Sequence, residues 1–199
     1  MSIIRPTPAT VSLRDVSVLI VEDSIVVRGL LRWTLRSAEA GAIREAANGD
    51  AAMRVLETYS PDVILYDWRT PTVEALRFVR EVRDPESGGS PFTRIVVMSR
   101  CCRCRQVLAA RDAGIDEFLV KPLSRAELLA GIRAVIDHPR PFSRTDAYFG
   151  PDRRRKQITY DGPERRKADR SVLPDVPATR PISHLPPPRG PRPARDDPH

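Results

Sequence analysis

Four short apolar runs in this chain each end on residues that can do chemistry. Val18-Leu19-Ile20-Val21 runs into the acid pair Glu22-Asp23, and Val63-Ile64-Leu65-Tyr66 runs into Asp67. Ile95-Val96-Val97-Met98 runs into Ser99, and Glu117-Phe118-Leu119-Val120 runs into Lys121-Pro122. If these runs are strands of one parallel sheet, three carboxylates, a hydroxyl and an ammonium meet at its carboxyl edge, where open α/β sheets hold their ligands. Three carboxylates brought together repel one another and resist desolvation unless a cation joins them. Hard oxygen ligands with open coordination positions suit Mg²⁺. A lysine and a hydroxyl beside that metal stabilise a phosphoryl group and its transition state. Asp67 can be the covalent acceptor, because carboxylates are established phosphoryl nucleophiles. Taken singly, an acid at a strand end is an ordinary solvated loop residue, and Lys-Pro is a common loop dipeptide. The weight lies in the joint order: acid pair, acid, hydroxyl, lysine, each closing a different strand.

The intervening segments read as the helices that would position those strand ends. After the first strand, about 17–22, Ser24 stands where an N-cap belongs. The helix it starts is expected to reach about residue 39, with Val27, Leu30, Leu31, Leu35 and Ala38 inside and Gly41 ending it. A short strand near 42–47 leads through Asn48-Gly49-Asp50 into a helix over about 50–59. The pattern predicts further helices over about 73–83, 103–113 and 125–137, the last capped by Ser124. Five strands alternating with five helices, four of the strands being short continuous apolar runs, imply a parallel sheet covered on both faces, with right-handed crossovers.

Charge divides the chain. Residues 1–138 carry a net +1 and residues 139–199 a net +6, together the +7 of the whole; the second part also holds 13 of the 20 prolines. Residues 1–15 read as a loose leader and 139–199 as a disordered Pro/Arg-rich tail without hydrophobic periodicity. Within the tail, Tyr148-Phe149-Gly150-Pro151-Asp152-Arg153-Arg154-Arg155-Lys156 is echoed by Tyr160-Asp161-Gly162-Pro163-Glu164-Arg165-Arg166-Lys167. The repeated aromatic and Arg cluster suit an acidic partner, RNA or an anionic membrane surface, although no recognisable DNA-binding module follows residue 138. No apolar run is long enough to span a membrane. The N-terminus lacks the apolar segment of a signal peptide, and the three cysteines, Cys101, Cys102 and Cys104, form no disulfide framework. The expected compartment is the cytoplasm. The cysteine cluster is either a soft-metal or redox site or simply thiols at a helix start; no fourth ligand is evident.

Over about residues 16–138 the chain resembles the receiver domain of bacterial two-component response regulators. The resemblance rests on Val18-Leu19-Ile20-Val21-Glu22-Asp23-Ser24, Val63-Ile64-Leu65-Tyr66-Asp67-Trp68-Arg69-Thr70-Pro71, Val96-Val97-Met98-Ser99 and Phe118-Leu119-Val120-Lys121-Pro122. It implies a flavodoxin-like (βα)5 doubly wound sheet of strand order 2-1-3-4-5. By the same resemblance Asp67 accepts a phosphoryl group from the histidine of a sensor kinase or phosphotransfer protein. Glu22, Asp23, Asp67 and the Arg69 backbone carbonyl hold Mg²⁺. Lys121 pairs with the phosphoryl oxygens, and Ser99 and Phe118 form the switch that carries the event to a downstream protein.

Four positions depart from the family's common residues, among them Phe118, which keeps the ring of the frequent Tyr but loses its hydroxyl. Arg100 follows Ser99 where a small residue is usual. It either crowds or contacts the acyl phosphate, changing its lifetime, or points to solvent. Thr70 and Ala75 stand where Met and Gly are common. The leading expectation is a stand-alone, phosphorylation-dependent response regulator acting through protein contact. It is no enzyme beyond its own phosphotransfer and dephosphorylation. The alternatives are a nucleic-acid- or membrane-binding effector using the basic tail, or a receiver that works without phosphorylation. A nucleotide-binding or phosphatase reading is weakest, because no Gly-rich phosphate loop follows any strand.

Overall fold

β1 (Val18–Val21) is apolar at every position because both of its faces are covered. Val18 and Ile20 face one helical layer, while Leu19 and Val21 face the other. Its neighbours in the structure, a computed structural model, are β2 (Ile43–Ala46) on one side and β3 (Val63–Trp68) on the other, followed by β4 (Arg94–Ser99) and β5 (Glu117–Val120). All four pairings are parallel and the strand order is 2-1-3-4-5, as the resemblance implied. Residues 12–68, 73–87, 90–100, 104–145 and 148–152, with the backbone of 171–173, are the described part of the chain.

The sheet lies between two helical layers. α1 (Ile25–Arg36) and α5 (Arg125–Asp137) cover one face, burying Leu31, Leu35, Leu128 and Ile132. α2 (Gly49–Leu56), α3 (Val73–Arg83) and α4 (Cys104–Ala113) cover the other, with Leu56, Phe78, Val79 and Val82 inside. Local chemistry starts three of these helices. Ser24, Asn48 and Ser124 each accept a backbone N–H of the first turn, and Ser124 with Glu127 closes a full capping box. Each such cap contributes about 1 kcal/mol.

The first helix is shorter than its apolar pattern predicts. It ends at Arg36, and Glu39 takes a left-handed conformation at φ 57°. Gly41 therefore does not end it. Its N–H reaches back to the carbonyls of Leu13 and Val16, and a Cβ there would sit 2.6 Å from the Arg14 carbonyl oxygen. The close approach is what requires glycine. Leu13 and Val16 are buried in the α1–α5 layer, so residues 12–15 belong to the domain rather than to a loose leader. Leu30, expected inside, is 61% exposed.

The larger correction lies after residue 138. The segment expected to be disordered begins with an antiparallel hairpin, β6 (Phe142–Thr145) and β7 (Tyr148–Pro151), and β8 (Ser171–Leu173) pairs with the other edge of β6. Phe142 and Phe149 meet Phe92 with ring centroids 5.0–5.6 Å apart, and Phe142 lies over the Arg83 guanidinium at 5.2 Å. Ring pairs of this kind contribute about 0.5–1.5 kcal/mol each beyond burial, and cation–π contact a comparable amount. Tyr148, which had no expected folding role, donates its hydroxyl to the Pro151 carbonyl at 2.7 Å. Its ring leaves no room at Gly150, where a Cβ would be 2.8 Å from Tyr148 Oη. Periodicity along the tail could not show this, because the apolar surface it buries is supplied by Phe92 and Arg83. The second repeat, Tyr160 to Lys167, lies outside the described residues.

The hairpin is predicted to be a separable attachment. Phe142→Ala should cost the docked state on the order of 3 kcal/mol. Hydrogen exchange at Phe149 and Gly150 should then accelerate while β1 and β3 stay protected. Unchanged exchange in the hairpin would show that the aromatic cluster does not hold it.

Candidate functional site

The strand register brings the expected residues to one edge. Val21 pairs with Tyr66, so Glu22 and Asp67 are neighbours one step beyond. Asp67 pairs with Met98, Trp68 with Ser99, and Ser99 with Val120. Lys121 follows immediately, its backbone N–H donating to the Ser99 carbonyl at 2.8 Å. The Lys121–Pro122 peptide bond is cis.

Asp67 is nearly buried, and the Lys121 ammonium donates to its Oδ2. Glu22 is also buried, and its Oε1 accepts the Ser24 N–H at 2.8 Å. Burial first, and then hydrogen bonding with Asp67, push the Glu22 carboxyl up to about 8. Bringing a second carboxylate into contact with desolvated Glu22 disfavours its charged form, a cost that a bound cation would offset. Asp23 is exposed at the mouth and also lies within hydrogen-bonding reach of Glu22.

This donor set fits a hard divalent cation. Among the described residues no three His, Cys, Asp or Glu side chains close on one point as a cage. Mg²⁺ does not need one, since it usually binds through one or two carboxylates and keeps several waters. The expected Arg69 carbonyl lies outside the described residues, as do Thr70 and the thiols Cys101 and Cys102; Cys104 is an exposed free thiol that begins α4. Ser99 is fully buried at the end of β4. Phe118 is half-buried in β5 and packs against the α2–α3–α4 layer. Ala75, in place of a common Gly, is buried in α3.

Two features went unread in the sequence. Arg28 Nη1 donates to the Glu22 carbonyl at 2.7 Å. The available signal was a cation in the first turn of α1, where the helix dipole disfavours one and an anionic or carbonyl partner is required. The second is the outer wall of the site. Val27, Leu30, Trp33, Arg100, Lys121 and Pro122 line an open groove of about 670 Å³ between α1 and the start of α5. Ile25, Val26, Leu30 and Trp33 beside it are each more than 60% exposed. Arg100 is exposed and lines the same groove as Lys121.

Comparison with known proteins agrees with this geometry. The family model of the response regulator receiver domain matches residues 18–133. Response regulator MprA of Mycobacterium sp. (strain KMS) is 32% identical over 137 residues, which are 69% of this chain and 55% of that protein. The chain thus spans about half the length of the curated relatives it matches. The structure of chemotaxis protein CheY4 of Vibrio cholerae superposes with a TM-score of 0.54 at 28% identity, covering 60% of this chain and 98% of that one. The receiver domain of sensor histidine kinase PA1611 from Pseudomonas aeruginosa PAO1, solved with magnesium coordinated in its active-site cleft, gives a TM-score of 0.51 at 29% identity over 60% of this chain and 94% of that one. Sheet order, site register and family match agree: the chain belongs to the response regulator receiver domain family.

Proposed function

We propose that Asp67 is the phosphoacceptor of a phosphorylation switch, loaded by the phosphohistidine of a sensor kinase or phosphotransfer protein. The observation that carries this is the buried Asp67 carboxylate paired with Lys121 beside Glu22, at the carboxyl edge of the sheet. An Asp67 oxygen forms the new P–O bond as the P–N bond breaks, and the electron pair stays with the leaving imidazole nitrogen. Lys121 transfers its ion pair from the carboxylate to the phosphoryl oxygens as charge shifts outward. Glu22, Asp23, Asp67 and the Arg69 carbonyl would hold Mg²⁺, which when bound supplies neutralisation of the phosphoryl oxygens. Ser99 reads the new group by hydrogen bond, and Phe118 passes the change towards α4 and α5. The chain turns over no external substrate beyond this self-phosphotransfer, and it works in the cytoplasm.

The donor would arrive across the α1 groove. Exposed Val26, Leu30 and Trp33 form an apolar stripe of the kind that anchors a partner helix, and Lys121 joins that stripe to the reacting oxygen. The net +6 of residues 139–199 suits an acidic partner for the tail. Strongly salt-dependent binding of random nucleic acid would instead favour a nucleic-acid effector. Incubation with Mg²⁺ and a small phosphodonor should add one phosphoryl group by intact mass. No adduct with any donor would favour a receiver that works by binding alone.

Arg100 should set how long that group persists. It is exposed and lines the same groove as Lys121, where its long side chain would cover the acyl phosphate against water. Arg100→Ala is expected to shorten the half-life roughly fivefold, the rate equivalent of about 1 kcal/mol. Equal autodephosphorylation rates in the two proteins would end this reading.

A further inference from the structure

We propose that Arg28 is a positioning residue for the metal-binding acid pair, acting through the Glu22 carbonyl from outside the site; this rests on the Mg²⁺ reading of Glu22 and Asp23. The turn between β1 and α1 carries both acids, Glu22 buried and Asp23 exposed. It is held by hydrogen bonds at successive atoms. The Glu22 N–H donates to the Ala46 carbonyl at 3.1 Å, and the Glu22 carboxylate accepts the Ser24 N–H. The Glu22 carbonyl accepts Arg28 Nη1 at 2.7 Å. That carbonyl belongs to the peptide plane joining Glu22 to Asp23, so fixing it fixes the direction in which Asp23 leaves the backbone.

Arg28 is itself fixed. Its Nε donates to Glu45 Oε2 at 3.1 Å, and Arg32 holds the other oxygen of Glu45 at 2.8 Å. Glu45 lies on β2, paired with Ile20 of β1. The guanidinium therefore bridges the acid turn to an edge strand that carries no reacting group. Only its planar fork spans both acceptors; an ammonium is a point donor. Arg28 and Glu45 are both largely buried, with side chains 17% and 26% exposed. By contrast Arg32, on the same carboxylate, is 45% exposed and does not reach Glu22.

Position and charge predict opposite results. As a nearby positive charge alone, Arg28 would oppose Mg²⁺, and its removal would tighten binding. As a positioning group, its removal loosens Glu22 and Asp23 and weakens binding. The test is MgCl₂ titration of the full chain followed by ¹H–¹⁵N spectra, reading the Asp23, Trp68 and Lys121 amides, with melting curves recorded alongside. Arg28→Ala is expected to raise the Mg²⁺ Kd about tenfold, the usual scale for losing a group that orients a metal ligand. Arg28→Lys, which keeps the charge, should raise it several-fold, and Arg32→Ala should leave it within twofold of wild type. A tighter or unchanged Kd in both Arg28 variants overturns the proposal while leaving the Mg²⁺ site intact, as does a lowered melting temperature with unchanged Kd. If Arg28→Ala fails to fold, Arg28→Lys and Glu45→Ala carry the test, and wild-type affinity in both overturns it. A wild-type chain whose spectra ignore Mg²⁺ overturns both this proposal and the metal reading beneath it.

Discussion

Asp67→Ala should take up no phosphoryl group under conditions where the wild-type chain is labelled. The expected change is complete because the reaction is covalent at one atom. Without the Asp67 carboxylate there is no nucleophile beside Lys121, and the other acids are differently placed. Glu22 is turned inward onto the Ser24 N–H, and Asp23 stands at the exposed mouth. The same substitution should not cost stability. It deletes a nearly buried carboxylate that pushes the neighbouring Glu22 carboxyl upward, and sites arranged for chemistry are commonly less stable than their inert variants. The expected outcome is loss of the mass adduct with a melting temperature at or above that of wild type. An adduct that persists in Asp67→Ala would place the acceptor elsewhere, Glu22 and Asp23 being the candidates at this edge.

Arg83→Ala should be the most destabilising single substitution considered for this domain. Arg83 sits at the end of α3 and is 2% exposed. It donates to the carbonyls of Gly114, Pro91 and Thr93 at 2.6–2.8 Å and to Asp116 Oδ2 at 2.7 Å. The same Asp116 oxygen accepts the Ile95 N–H at 2.7 Å, joining β4 to the turn before β5. Burial pushes the Asp116 carboxyl up and pushes Arg83 down, and the charge of each partner offsets the other's shift. Removing Arg83 leaves a buried carboxylate without its cation and three carbonyls without this donor, and takes away the surface on which Phe142 rests. Breaking one side of such a pair costs about 3–5 kcal/mol, a large share of the roughly 5–15 kcal/mol that holds a domain folded. Urea melts should show a midpoint lowered accordingly. Asp116→Asn should cost less, because it keeps an acceptor for the Ile95 N–H. A loss below about 0.5 kcal/mol in Arg83→Ala, the size of an ordinary surface substitution, would contradict this account.

Neither residue pair was equally visible beforehand. Asp67 and Lys121 were legible because each closes an apolar run, and the edge of a parallel sheet collects whatever its strands end on. Nothing in the spacing of Arg83 and Asp116 pairs them. They are 33 residues apart, on a helix and a turn that approach only after the sheet is assembled. An arginine at a helix end also reads as an ordinary solvated, dipole-compensating residue.

What the sequence determined by itself is the layered fold and the site edge. Apolar runs of four to six residues between amphipathic helices bury both sheet faces in essentially one way, and the handedness of crossovers settles the winding. The helix starts at Ser24 and Ser124 were equally local, since a cap needs only its own first turn, while Asn48, read as part of a turn, proved to cap α2. Tertiary structure alone decided the rest. Gly41 is required by the approach of residues 13–16, not by the helix before it. Leu30 belongs to an open groove beside Lys121, not to the core. The start of the first tail repeat, Tyr148–Pro151, is one strand of a hairpin held by Phe92 and Arg83, about 50 residues or more before it in the chain. In each case the deciding partner is distant in sequence, and a contact across such a separation leaves no trace in the periodicity of either segment.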